Sequence, residues 1–207
     1  MNDWKIITND PFFDKINLEE INERGKPRRY LLHAIDMFKQ CTDSKVILEV
    51  GSICKRMDHS IDEFDFDCCK DGHSTYFWSY YTEPKTSIYS VDINPECKSI
   101  IDKDERLSKV VSETCDPFEY IRDFKEKIDL LFLDLWDVKP DTLYAENHLL
   151  AYQIVKDKLA SKCLLLIDDT DIGYSGKLRL LIPEIKADGF IRIFHGRQAL
   201  FYRNVND

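Results

Sequence analysis

The chain has 207 residues, and its net charge of −9 comes from 29 basic and 38 acidic side chains. This length suits one domain spanning residues 1–207, and the 43% of hydrophobic residues supply a sizeable core. The acidity argues against nucleic acid and against an anionic membrane surface, because both partners require a basic face. Seven glycines and seven prolines exclude collagen-like and low-complexity classes.

The features that report on cellular location favour the cytoplasm. The seven cysteines are odd in number and follow no secreted spacing, and the adjacent Cys68 and Cys69 lack a second pair at zinc spacing. The first residues are acidic and polar, without the basic and apolar segments of a signal peptide. The longest purely apolar run, 163–167, is far shorter than the ~18 residues of a membrane span. We expect a cytoplasmic protein with reduced thiols and no membrane partner.

Short apolar runs alternate with helix-length stretches along the chain. A helix with Leu31, Ile35 and Phe38 on one face is predicted within the N-terminal segment 1–40. The runs that predict strands are 45–51, 87–92, 109–112, 128–134 and 162–168, and the stretches that predict helices are 75–81, 95–103, 117–125 and 143–159. Strands without polar alternation suit a sheet covered on both faces. The pattern therefore predicts an α/β fold with a Rossmann-like, doubly wound and mostly parallel sheet.

Two segments depart from this alternation. Residues 189–203 predict an antiparallel C-terminal hairpin across the short turn 195–197. Residues 53–71 form an acidic insertion between the first strand and its helix, which is a possible lid, with a solvated loop as the plainer alternative.

The carboxyl ends of parallel strands form the ligand-binding edge of such a sheet. The first strand brings Glu49, Gly51 and Ser52 to this edge. The turn 71–75 then opens a helix, whose exposed N–H groups would hold a carboxylate or a phosphate. The second strand ends in Asp92, an acid suited to the paired hydroxyls of a ribose.

Three further acids follow the fourth and fifth strands, namely Asp134, Asp168 and Asp169. Carboxylates at adjacent strand ends repel one another unless a cation lies among them, and Mg²⁺ favours all-oxygen ligation. Strand-end aspartates also cap helices, which is the alternative for Asp168 or Asp169 alone. For the three together, a metal site is the favoured interpretation.

The ordered set of motifs resembles the class I S-adenosylmethionine-dependent methyltransferases, and among them the metal-dependent O-methyltransferases. Segments 91–101, 129–143 and 163–169 carry the resemblance, and all three are similar to catechol O-methyltransferase. The resemblance covers roughly residues 45–203 and includes the terminal hairpin of the class I methyltransferase fold. It implies S-adenosyl-L-methionine and a divalent cation such as Mg²⁺ as cofactors.

The resemblance also assigns roles to single residues. The implied cofactor-binding set is Glu49, Gly51, Ser52, Gly72, His73, Ser74, Asp92, Ile93, Thr114, Cys115 and Asp134, and the implied metal set is Asp134, Asp168 and Asp169. The turn 72–74 would hold the amino-acid end of the cofactor through its backbone and hydroxyl. Asp92 would bind the ribose, Ile93 would lie against the adenine, and Thr114 with Cys115 would lie at the adenine edge. In the catechol enzymes the third metal ligand is an asparagine. The paired acids 168–169 instead resemble those of metal-dependent methyltransferases that act on sugar hydroxyls.

Asp137 stands where the catechol enzymes have a lysine as general base. A sugar hydroxyl is a far weaker acid than a phenol, whose pKa is ~10, so a carboxylate base beside a metal becomes useful. The expected activity is O-methylation of a sugar or glycan hydroxyl. In-line methyl transfer would reach an acceptor oxygen held by the metal, and Asp137 would take the proton.

Other functions stay open from the sequence. A catechol or another phenol is the nearest alternative acceptor. An NAD-dependent oxidoreductase shares the fold, but no G-x-G-x-x-G motif follows the first strand. An inactive methyltransferase-like binding module would retain three idle acids whose mutual repulsion is costly.

For four further side chains near these motifs, a structural or secondary role is weighed against a functional one. Trp136 would either wall the acceptor pocket or be a buried aromatic residue, and Asp171 is a second-choice base. His148 is expected to be structural, and His195 is expected to be exposed in the hairpin turn.

Overall fold

The computed structural model of the protein describes residues 27–43, 45–58, 73–139, 142–172 and 176–205. The strands are β1 (Val46–Val50), β2 (Ser87–Asp92), β3 (Val110–Thr114), β4 (Ile128–Leu133), β5 (Leu159–Ile167), β6 (Ile191–His195) and β7 (Ala199–Asn204). The α-helices are α1 (Pro27–Cys41), α2 (Ser74–Tyr81), α3 (Pro95–Lys103), α4 (Pro117–Asp123), α5 (Tyr144–Val155) and α6 (Ile182–Ala187). Short 3₁₀ turns occupy Glu105–Leu107, Lys156–Lys158 and Gly176–Leu178.

All seven strands belong to one sheet in the order β3-β2-β1-β4-β5-β7-β6. Strands β1 to β5 are parallel, whereas β7 runs antiparallel to both β5 and β6. The predicted doubly wound sheet with a C-terminal antiparallel hairpin is therefore confirmed. The chain order reverses between β1 and β4, and this switch point is where ligands bind in folds of this kind.

Two apolar layers cover the sheet, because every residue of β1 and β4 is buried and side chains alternate between the two faces. Helices α1, α2 and α3 contribute to one layer, in which Trp78 meets the edge of Phe132 with ring centroids 5.7 Å apart. Helices α4, α5 and α6 contribute to the other, in which Tyr152 lies against Phe190. Full burial of a side chain such as Phe132 stabilises the fold by ~1.5–3 kcal/mol, so the two layers hold the strand ends in place.

Element boundaries differ from the predictions at one place that matters for the sheet. The helix predicted over 143–159 ends at Val155, and β5 already begins at Leu159. The charged residues between them form the 3₁₀ turn, where Lys158 Nζ donates to the carbonyl oxygen of Phe124 at 2.7 Å. The apolar periodicity of the helix continues into the strand, so the sequence pattern alone does not mark the boundary.

The two irregular segments are described in part. The N-terminal helix begins within the predicted segment 1–40 and ends one residue beyond it, while residues 1–26 lie outside the described residues. Of the acidic insertion 53–71, the structure describes 53–58, in which Ile53 and Met57 are buried in the core. The rest of this possible lid, residues 59–71, lies outside the described residues, as does Gly72.

Among the described residues, no helix combines the length and the apolar character that crossing a membrane requires. None of the five cysteines in the described ranges forms a disulfide.

Candidate functional site

A cavity of about 720 Å³ opens at the carboxyl ends of the central strands. The predicted site residues in its wall are Gly51, Ser52, His73, Ser74, Asp92, Ile93, Asp134, Asp137, Asp168 and Asp169. They come from five separate stretches of sequence, and the parallel sheet brings them to one edge. Glu49, Thr114 and Cys115 do not line this cavity, and Gly72 lies outside the described residues.

Glu49 is fully buried behind the cavity wall. Its carboxyl group accepts four hydrogen bonds, from Ser74 Oγ at 2.5 Å, Thr75 Oγ1 at 2.6 Å, Ser90 Oγ at 2.6 Å and Trp78 Nε1 at 2.9 Å. Burial raises the pKa of Glu49, and these hydrogen bonds oppose the rise. Glu49 therefore joins β1, β2 and α2 to one another. It positions the start of α2 and does not line the cavity, and its predicted role in cofactor binding stays a prediction.

Asp92 ends β2 with both carboxylate oxygens fixed. Its Oδ2 accepts the N–H of Ser52 at 2.9 Å, and its Oδ1 accepts the N–H of Asn94 at 2.8 Å. The next side chain, Ile93, lines the same cavity and is 71% exposed. An oriented acid beside an open apolar surface can bind a ribose through its hydroxyls and a flat base through its face.

The wall beyond β3 begins two residues later than predicted. The N–H of Cys115 donates to the carbonyl oxygen of Asp92 at 3.2 Å, and this bond holds the segment against the sheet. Asp116 then turns the chain, because its Oδ1 accepts the N–H of Phe118 at 2.7 Å as the N-cap of α4. Asp116, Pro117 and Phe118 therefore line the cavity in place of the predicted Thr114 and Cys115.

Trp136 forms part of the cavity wall and is half-buried. Its backbone has a left-handed φ of 51°, which residues other than glycine seldom adopt. The ring stacks on Phe118 with centroids 5.1 Å apart and meets the edge of His148 at 5.8 Å. Of its two predicted roles, the structure favours the wall.

The three predicted metal acids meet at the end of β4 and β5. Asp134, Asp168 and Asp169 each place a carboxylate oxygen within 4.8 Å of the others. Burial, followed by the charge of Asp134, raises the pKa of Asp168. The buried Oδ1 of Asp168 accepts no hydrogen bond from the described residues. An all-oxygen donor set with an unsatisfied buried carboxylate oxygen suits a hard divalent cation.

Lys177, which the sequence interpretation missed, lies within this acidic triad. Its Nζ donates to Asp134 Oδ1 at 2.6 Å and lies 3.1 Å from Asp169 Oδ2, and the side chain is 2% exposed. Burial alone would lower the pKa of Lys177, but the charges of Asp134, Asp169 and Asp168 together raise it above its ordinary value. The lysine is therefore an ammonium that offsets part of the acidic charge.

Arg197 is a second cation that the sequence interpretation did not single out. It extends from the turn between β6 and β7, and its Nη2 forms an ion pair with Asp169 Oδ1. Its Nε lies 3.9 Å from Asp168 Oδ1, and its Nη1 lies 3.9 Å from Asp171 Oδ1. The mutual repulsion of the three acids is thus reduced by side chains of the protein itself.

Asp137, the predicted general base, lies at the outer rim of the cavity with a side chain that is 77% exposed. Lys139 Nζ lies 2.6 Å from Asp137 Oδ2 and lowers the pKa of this carboxyl group. Asp137 is therefore ionised and accessible to an acceptor, although the ion pair makes it a weaker base than an isolated carboxylate.

His148 and His195 differ from each other in burial. His148 is fully buried, and its Nδ1 lies 2.6 Å from the carbonyl oxygen of Tyr144. Burial, followed by the charge of Lys177, lowers the pKa of His148 to about 3. His195 ends β6 and is half-buried, so its predicted place in an exposed turn is wrong. The register of β7, which pairs His195 with Ala199, draws it into the sheet.

No protein-family model matches the chain, and no curated protein matches its sequence. Solved structures do match its fold. An O-methyltransferase from Bacillus cereus in complex with SAH has a TM-score of 0.58 and 11% identity, over 95% of this chain and 92% of its own. A methyltransferase from Geobacter sulfurreducens has a TM-score of 0.56 and 14% identity, over 96% of this chain and 91% of its own.

The MycE methyltransferase of the mycinamycin biosynthetic pathway, solved with Mg, SAH and mycinamycin VI, is also similar. It has a TM-score of 0.57 and 16% identity over 86% of this chain, which spans 49% of MycE. At such identities the likeness concerns the fold, and the predicted class I methyltransferase fold is confirmed.

Proposed function

We propose that the protein is an S-adenosylmethionine-dependent O-methyltransferase. One observation carries the proposal: Asp92 and Ile93, which suit a nucleoside, share a single cavity with the acidic triad. S-Adenosylmethionine supplies an electrophilic methyl group on its sulfonium. The chain's own part is to bind the nucleoside through Asp92 and Ile93 and to hold the acceptor near the triad. Alignment of two reactants in this way can lower a barrier by ~7–11 kcal/mol.

The triad supports a finer proposal on metal dependence. Its donor set and the unsatisfied Oδ1 of Asp168 fit a divalent cation such as Mg²⁺. A divalent cation bound there would polarise an acceptor hydroxyl and lower its pKa. Asp134, Asp168 and Asp169 would hold it, and Trp136 and Phe118 would exclude water from one side of the cavity.

The proposed acceptor is a hydroxyl of a sugar or of a glycan, and the proposed place of action is the cytoplasm. The acidic pair 168–169 and the carboxylate at 137 support this acceptor over a phenol. Asp137 is ionised, exposed and next to the wall residue Trp136, so it can take the proton that the acceptor loses. A catechol or another phenol is the alternative acceptor.

Calorimetry with S-adenosylhomocysteine, with NAD as the comparison ligand, tests the cofactor. We expect heat from the former alone, and its absence would reject the proposal. Asp92→Asn should weaken S-adenosylhomocysteine binding about tenfold or more, since one of two acceptors that orient backbone N–H groups becomes a donor. Asp102→Asn, an exposed change on α3, is the matched control and should leave the affinity unchanged.

Transfer of a labelled methyl group to a panel of sugars and catechols tests the acceptor. We expect transfer to a sugar, and we expect a chelator to abolish it and added Mg²⁺ to restore it. Transfer to catechols alone would replace the sugar acceptor by the phenolic one. Transfer that is unaffected by the chelator would remove the metal from the proposal and leave the methyltransferase activity in place.

A further inference from the structure

Lys177 occupies the space that a cation in the acidic triad would need. The carboxylate oxygens lie within 4.8 Å of one another, and Lys177 Nζ lies 2.6 Å and 3.1 Å from two of them. A Mg²⁺ ion sits ~2.1 Å from each oxygen ligand, so it would lie among the same oxygens. The ammonium and the metal ion therefore exclude each other by distance as well as by charge.

The position of Lys177 is fixed by the backbone next to it. Gly176 has a left-handed φ of 46°, and a Cβ atom at this position would lie 2.9 Å from the carbonyl carbon of Asp169. The N–H of Lys177 donates to the carbonyl oxygen of Asp169 at 3.2 Å. The turn at 176–177 therefore packs directly against the backbone of Asp169, and this contact directs the side chain of Lys177 into the cluster.

Lys177 lowers the excess negative charge of the cluster. Three carboxylates face Lys177 and Arg197, which leaves one negative charge in excess. A buried cluster of like charges without partners is strongly destabilising, so the protein needs Lys177 when no metal is present. Once a divalent ion enters, the ammonium becomes a repelled like charge at close range.

We propose that Lys177 is an internal counter-cation that fills the divalent-cation site of the metal-free protein and must leave the triad when a metal binds. This inference rests on the metal site of the proposed function. The lysine then sets the affinity and selectivity of the site, because only an ion that outcompetes the ammonium at Asp134 and Asp169 can load.

Calorimetric titration of the full chain with Mn²⁺ alone, in the presence of S-adenosylhomocysteine, tests the inference. Lys177→Met and Lys177→Gln should bind Mn²⁺ about tenfold or more tightly than the unchanged protein, because a competing charge is removed. Lys177→Arg keeps the charge and should not gain affinity. Lys85→Met removes an exposed lysine that pairs with Glu83 and should not gain affinity either.

Thermal unfolding gives a second readout that does not depend on activity. In the presence of a chelator, Lys177→Met and Lys177→Gln should unfold at a lower temperature than the unchanged protein. Added Mn²⁺ should raise the Tm of these two variants by more than it raises the Tm of the unchanged protein. Equal affinity and equal Tm shifts in all proteins would overturn the role of Lys177, while retained S-adenosylhomocysteine binding would leave the proposed function intact.

Two other results separate the inference from the proposed function. Absence of Mn²⁺ binding to every variant would overturn both the metal site and the role of Lys177. Absence of S-adenosylhomocysteine binding would overturn the methyltransferase proposal, and the Mn²⁺ affinities of the variants would still decide the role of Lys177.

Discussion

Gly51 and Asp134 pack so closely that a Cβ atom at position 51 would lie 2.6 Å from the carbonyl carbon of Asp134. Gly51 follows β1 with a φ of 93°, a left-handed conformation that side chains rarely adopt. Its N–H donates to the carbonyl oxygen of Val91 at 3.0 Å. This glycine therefore sets the spacing between the β2 end, which carries Asp92, and the β4 end, which carries the first acid of the triad.

Gly51→Ala should destabilise the protein by about 3 kcal/mol, because backbone strain of ~1–3 kcal/mol adds to an overlap with rigid backbone. Gly189→Ala is the matched control: its φ of 80° is similar, but a Cβ there meets no atom within 4 Å. Only the backbone strain remains in Gly189→Ala, so its free energy of unfolding should fall by about 1 kcal/mol. Urea unfolding measures both, and equal losses would mean that the contact with Asp134 relaxes freely.

Glu49→Gln should lower stability by about 1–3 kcal/mol, since a buried amide cannot accept from all four donors that face Glu49. S-Adenosylhomocysteine affinity should fall as well, because Ser74 at the start of α2 loses its fixed partner. Glu113→Gln, an exposed change on β3, is the control and should alter neither quantity. Lower affinity with unchanged stability would instead indicate direct contact of Glu49 with the cofactor.

The fold and most of the cavity wall follow from local sequence features. Apolar runs predict the parallel strands. A parallel sheet brings strand-end residues such as Asp92, Asp134 and Asp168 to one edge, independently of the conformation of the loops. Glu49 shows the limit of this reasoning. The sequence does not distinguish an acid that faces a ligand from one that accepts hydrogen bonds from other side chains. The donors to Glu49 come from residues up to 41 positions away in the chain.

The cations of the site could not be predicted for a related reason. Lys177 and Arg197 come from turns, and turn geometry decides where their long side chains point. The one local signal is the pair Gly176-Lys177 shortly after the two acids, since a glycine there permits the left-handed turn. The sequence interpretation inferred a metal from the repulsion of three acids. In the structure, Lys177 and Arg197 already offset part of that repulsion.

His148 should remain neutral over the whole range in which ordinary histidines titrate. Burial lowers its pKa to about 3, whereas a histidine in the unfolded chain titrates near ~6.5. The unfolded state therefore binds the extra proton as the pH falls below 6.5, and this residue disfavours the folded state progressively in acid. Nitrogen NMR of the ring should find Nε2 unprotonated from pH 8 to pH 5. A titration midpoint near 6.5 in the folded protein would contradict the burial.

Asp137→Asn should lower the turnover of methyl transfer strongly while S-adenosylhomocysteine affinity stays unchanged, since the amide cannot take a proton. A general base contributes about 10²–10⁴-fold to a rate, so a loss in this range is expected. Asp171→Asn, at the second-choice base, is the matched control and should have a smaller effect. If Asp137→Asn leaves turnover unchanged and Asp171→Asn lowers it, the base is Asp171.

Lys139→Met tests the same base through the pH dependence of the reaction. Lys139 lowers the pKa of Asp137 through an ion pair, so its removal should raise that pKa. A base is active only when it is deprotonated, and a raised pKa therefore moves the acid limb of the kcat/KM profile to higher pH. Lys85→Met removes an exposed lysine that pairs with Glu83 and should leave the limb in place. A limb that does not move in Lys139→Met would assign the acid limb to another group and remove Asp137 from the role of base.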